Sequence, residues 1–202
     1  SGTVSVQTTV KRTGSYAYRA NPTTTGNGGF AIGSPALIGS AFSIATLYMS
    51  FYFRYATKPS ANNEPICWWR STSGADKFEL RIDSAGNLKA YNTSLTLLAT
   101  GATVLSQDTW YLIEVKVGTG ASAAWEVKIN GVSEISGTAD LATTNNGQVE
   151  LGKRNNRNGE TVDFFFDDIA LKDDAYPGAG ECKLLKPNGN GNYTAWTNDY
   201  TN

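Results

Sequence analysis

Between Leu47 and Tyr55 the chain alternates without a break: Leu47, Met49, Phe51, Phe53 and Tyr55 fall on one side, and Tyr48, Ser50, Tyr52 and Arg54 on the other. A repeat of two is the period of a β-strand, and this strand has one side for a core and one for water or a ligand. The same period governs Lys77 to Asp83, where Phe78, Leu80 and Ile82 are expected inward and Lys77, Glu79, Arg81 and Asp83 outward. It returns in Tyr111, Ile113, Val115 and Val117, set against Trp110, Leu112, Glu114 and Lys116, and again in Trp125, Val127 and Ile129. A helical period is nearly absent, so the chain is restricted to β architecture.

Turn chemistry separates these runs. Ser84-Ala85-Gly86-Asn87 reads as a turn into Leu88–Tyr91, and Asn130-Gly131 joins Trp125–Ile129 to Val132–Ile135, because both turn residues tolerate positive φ. Further strands are expected at Val4–Arg12, Ser15–Ala20, Gly29–Gly33, Pro65–Arg70, Leu95–Ala99, Gln148–Gly152, Asp163–Lys172 and Glu181–Leu185. About a dozen short strands with Gly-, Asn-, Ser- and Thr-rich turns predict an all-β, antiparallel two-sheet sandwich with little or no helix. A chain of 202 residues suffices for one such domain. We expect the sandwich over residues 1–175, and a C-terminal strand with an Asn/Gly-rich tail over 176–202, packed on it or on a neighbour.

Composition narrows the chemistry. Histidine is absent, which removes Ser-His-Asp and Cys-His nucleophile systems, histidine zinc sites and an imidazole base. Cys67 and Cys182 are too far apart in sequence for a CxxC pair; two buried thiols, a disulfide and intermolecular links all fit. With 17 basic and 18 acidic residues the net charge is -1, so no global field draws the chain to nucleic acid. No apolar run approaches the ~18 residues of a membrane span, and neither nucleic-acid binding nor membrane insertion is expected. The start, Ser1-Gly2-Thr3-Val4, has no initiator Met and reads as a processed end.

The order of the strands, from Ser15-Tyr-Ala-Tyr-Arg19 through Tyr48-Met-Ser-Phe-Tyr-Phe-Arg54, Trp110-Tyr-Leu-Ile-Glu-Val-Lys-Val117 and Trp125-Glu-Val-Lys-Ile-Asn-Gly-Val132 to Phe166-Asp-Asp-Ile-Ala-Leu171, resembles the concanavalin A-like lectin/glucanase superfamily in its laminin-G-like jelly-roll form. The segment Leu184-Leu-Lys-Pro-Asn-Gly-Asn-Gly-Asn-Tyr-Thr-Ala-Trp196 is similar to the end of jelly-roll domains in structural proteins of tailed bacteriophages. The first resemblance implies a jelly-roll sandwich. The second implies a virion-associated structural or attachment protein (capsid decoration, head fibre or tail adhesin), located at the virion surface or else secreted. Virion proteins, a cell-surface glycan and further copies of the chain are the partners expected.

Strand parity puts Asp167 and Asp168 on opposite faces, with Asp167 sharing the side of Phe165, Ile169 and Leu171. A carboxylate there must be hydrogen-bonded, paired or metal-bound. The resemblance implies one structural Ca²⁺ held by Asp167 or Asp168, hard oxygen ligands suiting that ion. Sugar-binding sandwiches stack pyranose rings on exposed aromatics, which nominates Trp68, Trp69, Tyr48 and Tyr52, with Arg54 and Arg70 as donors. The alternative is that these rings cover a second layer, a loop or an interface. Tyr193 and Trp196 read as a docking arm.

The glucanase triplet Glu-x-Asp-x-x-Glu is missing; the nearest approach, Glu79-Leu-Arg-Ile-Asp83, has the wrong spacing and reads as an ordinary exposed face. A lyase-like Gln-x-His motif is impossible without histidine. The chain is therefore expected to be a non-enzymatic virion protein whose fold can bind glycans, with a free carbohydrate-binding module or lectin as the second reading and a polysaccharide-active enzyme as the third.

Overall fold

The computed structural model describes residues 4–22, 28–32, 43–153 and 160–180, of which 28–32 are described by their backbone alone. Thirteen strands are defined there: β1 (Val4–Gln7), β2 (Ala17–Ala20), β3 (Gly28–Ile32), β4 (Leu47–Thr57), β5 (Asn63–Ser71), β6 (Asp76–Asp83), β7 (Asn87–Asn92), β8 (Leu97–Val104), β9 (Tyr111–Val117), β10 (Ala123–Ile129), β11 (Val132–Ala139), β12 (Asn146–Lys153) and β13 (Asp163–Lys172). Helix is absent among the described residues. The first sheet runs β1-β2-β13-β4-β9-β10-β11 and the second β3-β12-β5-β6-β7-β8. All pairings are antiparallel. Two antiparallel sheets face to face with strands crossing between them form a jelly-roll sandwich, as the sequence predicts.

The inner faces supply one core. Phe51, Phe53, Phe164 and Phe166 from the first sheet are fully buried, and Phe53 meets Phe164 edge-on at 5.3 Å. From the second sheet Trp69 packs edge-on against Phe78 at 5.6 Å, and Phe78 reaches Trp125 of the first at 5.8 Å. Trp125 is thus a core residue. Across the closed flank, Glu134 of β11 accepts hydrogen bonds from the Thr103 N–H and hydroxyl of β8 at 2.7 Å.

Turns behave as their residues require. Asn130 and Gly131 have φ of 52° and 82°, the left-handed pair that a tight hairpin needs. Asp83 Oδ1 accepts from the N–H groups of Ala85, Gly86 and Asn87 at 2.9 Å, which fixes the β6–β7 turn. The first strand is shorter than expected because the Gln7 side chain accepts from the N–H groups of Thr9 and Val10 and turns the chain out of the sheet. The expected strand Glu181–Leu185 and the tail with Tyr193 and Trp196 lie outside the described residues.

Register shifts in β13 and between β5 and β6 change the parity read from the sequence. In β13 the register shifts between Asp167 and Ala170, and Asp168 has φ of 48°. Phe164 and Phe166 face the core, so Phe165 and Asp167 point outward, and the extra residues return Leu171 to the inner side opposite Met49. In β5 the register shifts at Ile66 and again between Trp69 and Arg70. The second shift passes over Lys77, which is buried rather than outward-facing: its Nζ donates to Thr119 Oγ1 at 2.9 Å and Thr144 O at 2.5 Å. Burial lowers that lysine to about 8.

Candidate functional site

The six residues nominated as sugar contacts divide among three places. Trp69 lies in the core. Tyr48, Tyr52 and Arg54 lie on the outer face of the first sheet, and Trp68 and Arg70 on the outer face of the second.

The outer face of the first sheet is occupied by the chain itself. The Arg12 guanidinium lies 3.5 Å from the centroid of the Tyr52 ring. Tyr176 meets Tyr48 edge-on at 5.1 Å, donates its hydroxyl to Glu126 at 2.7 Å, and carries Lys128 4.0 Å above its ring. Burial, reinforced by Glu126, pushes the Tyr176 hydroxyl far up. Burial alone would raise Glu126, but the hydrogen bonds from Tyr176 and Ser133 outweigh it and hold that carboxyl low. Arg54 is paired with Asp108 at 2.5 Å and sits over Phe165.

Asp167 and Asp168 anchor the same return segment. Asp167 accepts from the N–H groups of Arg12 (2.7 Å), Thr13 (3.2 Å) and Asp168 (2.8 Å). Asp168 accepts from the Thr13 hydroxyl at 2.7 Å and the Arg12 guanidinium at 2.8 Å. All four carboxylate oxygens meet donors, one of them cationic, and this set does not fit a Ca²⁺ ion. Among the described residues no group of three or more acidic or cysteine side chains converges on a metal position. Cys67 is a free thiol in the core, pushed well up by burial; Cys182 lies outside the described residues.

The second sheet presents a different outer face. Cross-strand register aligns Glu150 of β12, Trp68 of β5, Glu79 of β6 and Tyr91 of β7 in one row. A neighbouring row holds Pro65, Arg81, Lys89 and Thr100, and Gln148, Arg70 and Asp76 form a third. Side chains in adjacent rows interlock. Arg81 donates to Glu79 at 2.6 Å and Asn63 at 2.9 Å, and its guanidinium lies 4.4 Å from the Tyr91 ring centroid. Arg70 reaches Asp76 and Glu150, each at 3.4 Å, and Gln148 donates to Glu150 at 2.6 Å. Lys89 pairs with Asp83 at 3.1 Å.

Burial grades across this face. Trp68, Glu79 and Arg81 are 2%, 3% and 6% exposed and make a sheltered floor, while Tyr91, Arg70, Gln148, Glu150 and Lys89 are half-buried around it. Glu79 and Arg81 are therefore not an ordinary exposed face. Asp83 is separate from Glu79 in role, being committed to the turn.

Sequence reasoning reached Trp68 and Arg70 but passed over Glu79, Arg81, Tyr91 and Glu150. The signal was present in the parity of the β6–β7 hairpin, which puts Glu79 opposite Tyr91. The placement of Glu150 depends on β12 pairing with β5 across about 80 residues, which no local pattern carries.

No protein-family model matches the chain, and no curated protein matches its sequence. Solved structures do resemble it. A cellulose-induced protein, Cip1, matches with a TM-score of 0.69 and 17% identity over 89% of this chain and 88% of that one. An endo-β-1,4-glucuronan lyase from the fungus Trichoderma reesei matches with 0.66 and 13%, over 84% and 86%. Alginate lyase A1-II′, of polysaccharide lyase family 7, matches with 0.58 and 13%, over 77% and 79%. At these identities the likeness establishes the fold alone, a two-sheet jelly-roll sandwich. No link to phage structural proteins comes from these structures. They also overturn the expectation that the chain is not an enzyme, since polysaccharide lyases share its architecture.

Proposed function

We propose that the protein is a carbohydrate-active jelly-roll protein that takes a polysaccharide chain along the outer face of its second sheet. The row Glu150–Trp68–Glu79–Tyr91 carries this reading. It places the half-buried Tyr91 ring and two carboxylates on one line over the buried Trp68, bordered by Arg70, Arg81 and Gln148. Aromatic faces suit the C–H faces of sugar rings, and fixed polar groups suit their hydroxyls. The strands bearing Glu79 and Glu150 are separated by β5, so two carboxylates flank Trp68 at about 10 Å between backbones, a disposition in which side chains can act on one bond. The similar structures support a glycan-related role, since two are named as polysaccharide lyases and one as cellulose-induced.

A panel of soluble polysaccharides tests this by affinity electrophoresis, with chain cleavage followed as reducing ends and as unsaturated sugar. Binding is expected, and Tyr91→Ala should weaken it about tenfold, the ~1.4 kcal/mol that one lost stacking contact supplies. Binding indifferent to that change would move the site elsewhere.

A second reading, attachment at a virion surface to a host glycan, draws on the Leu184–Trp196 segment and its phage-like pattern. It uses the same face. A stable homo-oligomer by light scattering is the result it requires; a monomer at micromolar concentration favours a free glycan-active protein.

A further inference from the structure

We infer that the polysaccharide accepted by this face is neutral rather than a polyuronate, an inference that rests on the proposed glycan platform. A polyuronate brings a carboxylate with each sugar unit, and binding it demands cations whose charge is not already answered. Among the described residues the face carries three cations, Arg70, Arg81 and Lys89, against four carboxylates, Asp76, Glu79, Asp83 and Glu150. Each cation is engaged. Arg81 is held by Glu79 at 2.6 Å with both side chains buried, Arg70 lies between Asp76 and Glu150 at 3.4 Å, and Lys89 is held by Asp83 at 3.1 Å.

An incoming carboxylate would have to displace one of these partners and leave it facing the new anion. Displacing Glu79 is the least favourable exchange, because it would strand a charge on a floor from which water is largely excluded. The whole chain, at a net charge of -1, adds no attraction from a distance. Sugar hydroxyls make no such demand: they donate to the carboxylates and accept from the guanidiniums without breaking the pairs. A neutral chain also has no uronate carboxylate beside the proton that elimination removes. Cleavage on this face is then hydrolysis, in which water adds across the glycosidic C–O bond.

The test uses the whole chain with two neutral polysaccharides, a soluble β-glucan and a xylan, and two polyuronates, alginate and polyglucuronate, each at low and moderate salt. Binding to at least one neutral polysaccharide is expected, insensitive to salt and weakened tenfold or more by Tyr91→Ala, with polyuronates at least tenfold weaker. Glu150→Gln, at a half-buried position, releases Arg70 from one partner and should raise polyuronate affinity several-fold at low salt. Tight, salt-sensitive binding of a polyuronate by the unaltered chain, lost in Arg70→Gln, would overturn the inference and leave the glycan platform standing. Failure to bind any of the four would overturn the platform and the inference together.

Discussion

Glu160 shows how much one side chain can organise. It precedes β13, and its two carboxylate oxygens accept from the N–H groups of Ser60, Ala61 and Asn62, the Ser60 hydroxyl and the Asn62 amide. The backbone and hydroxyl donors of Ser60 lead in holding its carboxyl down to about 2. A carboxyl depressed in the fold stabilises it fully above the unfolded value and loses that contribution as pH falls through the folded one. Glu160→Gln should therefore cost about 1–2 kcal/mol near neutral pH, and the difference from the unaltered chain should vanish as pH approaches about 2, measured as urea midpoints across pH. A constant difference at all pH values would show that the charge contributes nothing. No sequence pattern announces this residue, because its partners lie about 100 positions away. Asp83 was better signposted, standing directly before the expected turn Ser-Ala-Gly-Asn whose N–H groups it caps.

At the level of strands, β5 and β12 are joined by an ion pair inside the sandwich. Glu64 and Lys153 are both fully buried, 3.6 Å apart, and Lys153 also donates to the Glu160 carbonyl at 2.5 Å. Burial raises the Glu64 carboxyl, and Lys153 together with the Glu160 N–H restrains the rise. Lys153→Met strands that carboxyl and should cost about 3–5 kcal/mol, whereas the pair Glu64→Leu with Lys153→Met should recover most of the loss. Chemical denaturation of the two variants decides it, and equal losses in both would mean the lysine acts by packing alone. Strand positions were legible because period-2 alternation in segments such as Leu47–Tyr55 is imposed by one buried face. Facing was not legible wherever a bulge intervened: the extra residues around Asp168 reverse the parity of β13, and Lys77, itself the extra residue of β6 between the partners of Trp69 and Arg70, is buried although expected outward.

For the whole molecule, sheet order arises from pairings between distant segments, such as β13 between β2 and β4, and turn chemistry reports only neighbours in sequence. The jelly-roll arrangement was readable through resemblance of strand order; the phage-like tail was readable only as sequence. Because Asp167 and Asp168 clasp the Arg12–Thr13 segment, thermal unfolding should show the same midpoint with and without EDTA. A fall of several degrees with EDTA, reversed by Ca²⁺, would place an ion where the donors now stand. The adjacent indoles of β5, one in the core and one on the polar face, have a bearing on how such a protein can change by descent. A shift of β5 by one residue would exchange Trp68 for Trp69 and leave an indole on each side, so neither ring marks the frame. The charged residues Glu64 and Arg70 mark it, since the shift would expel one from its lysine and drive the other inward. Gains and losses of single codons within this strand should therefore be purged far more strictly than substitutions at either tryptophan.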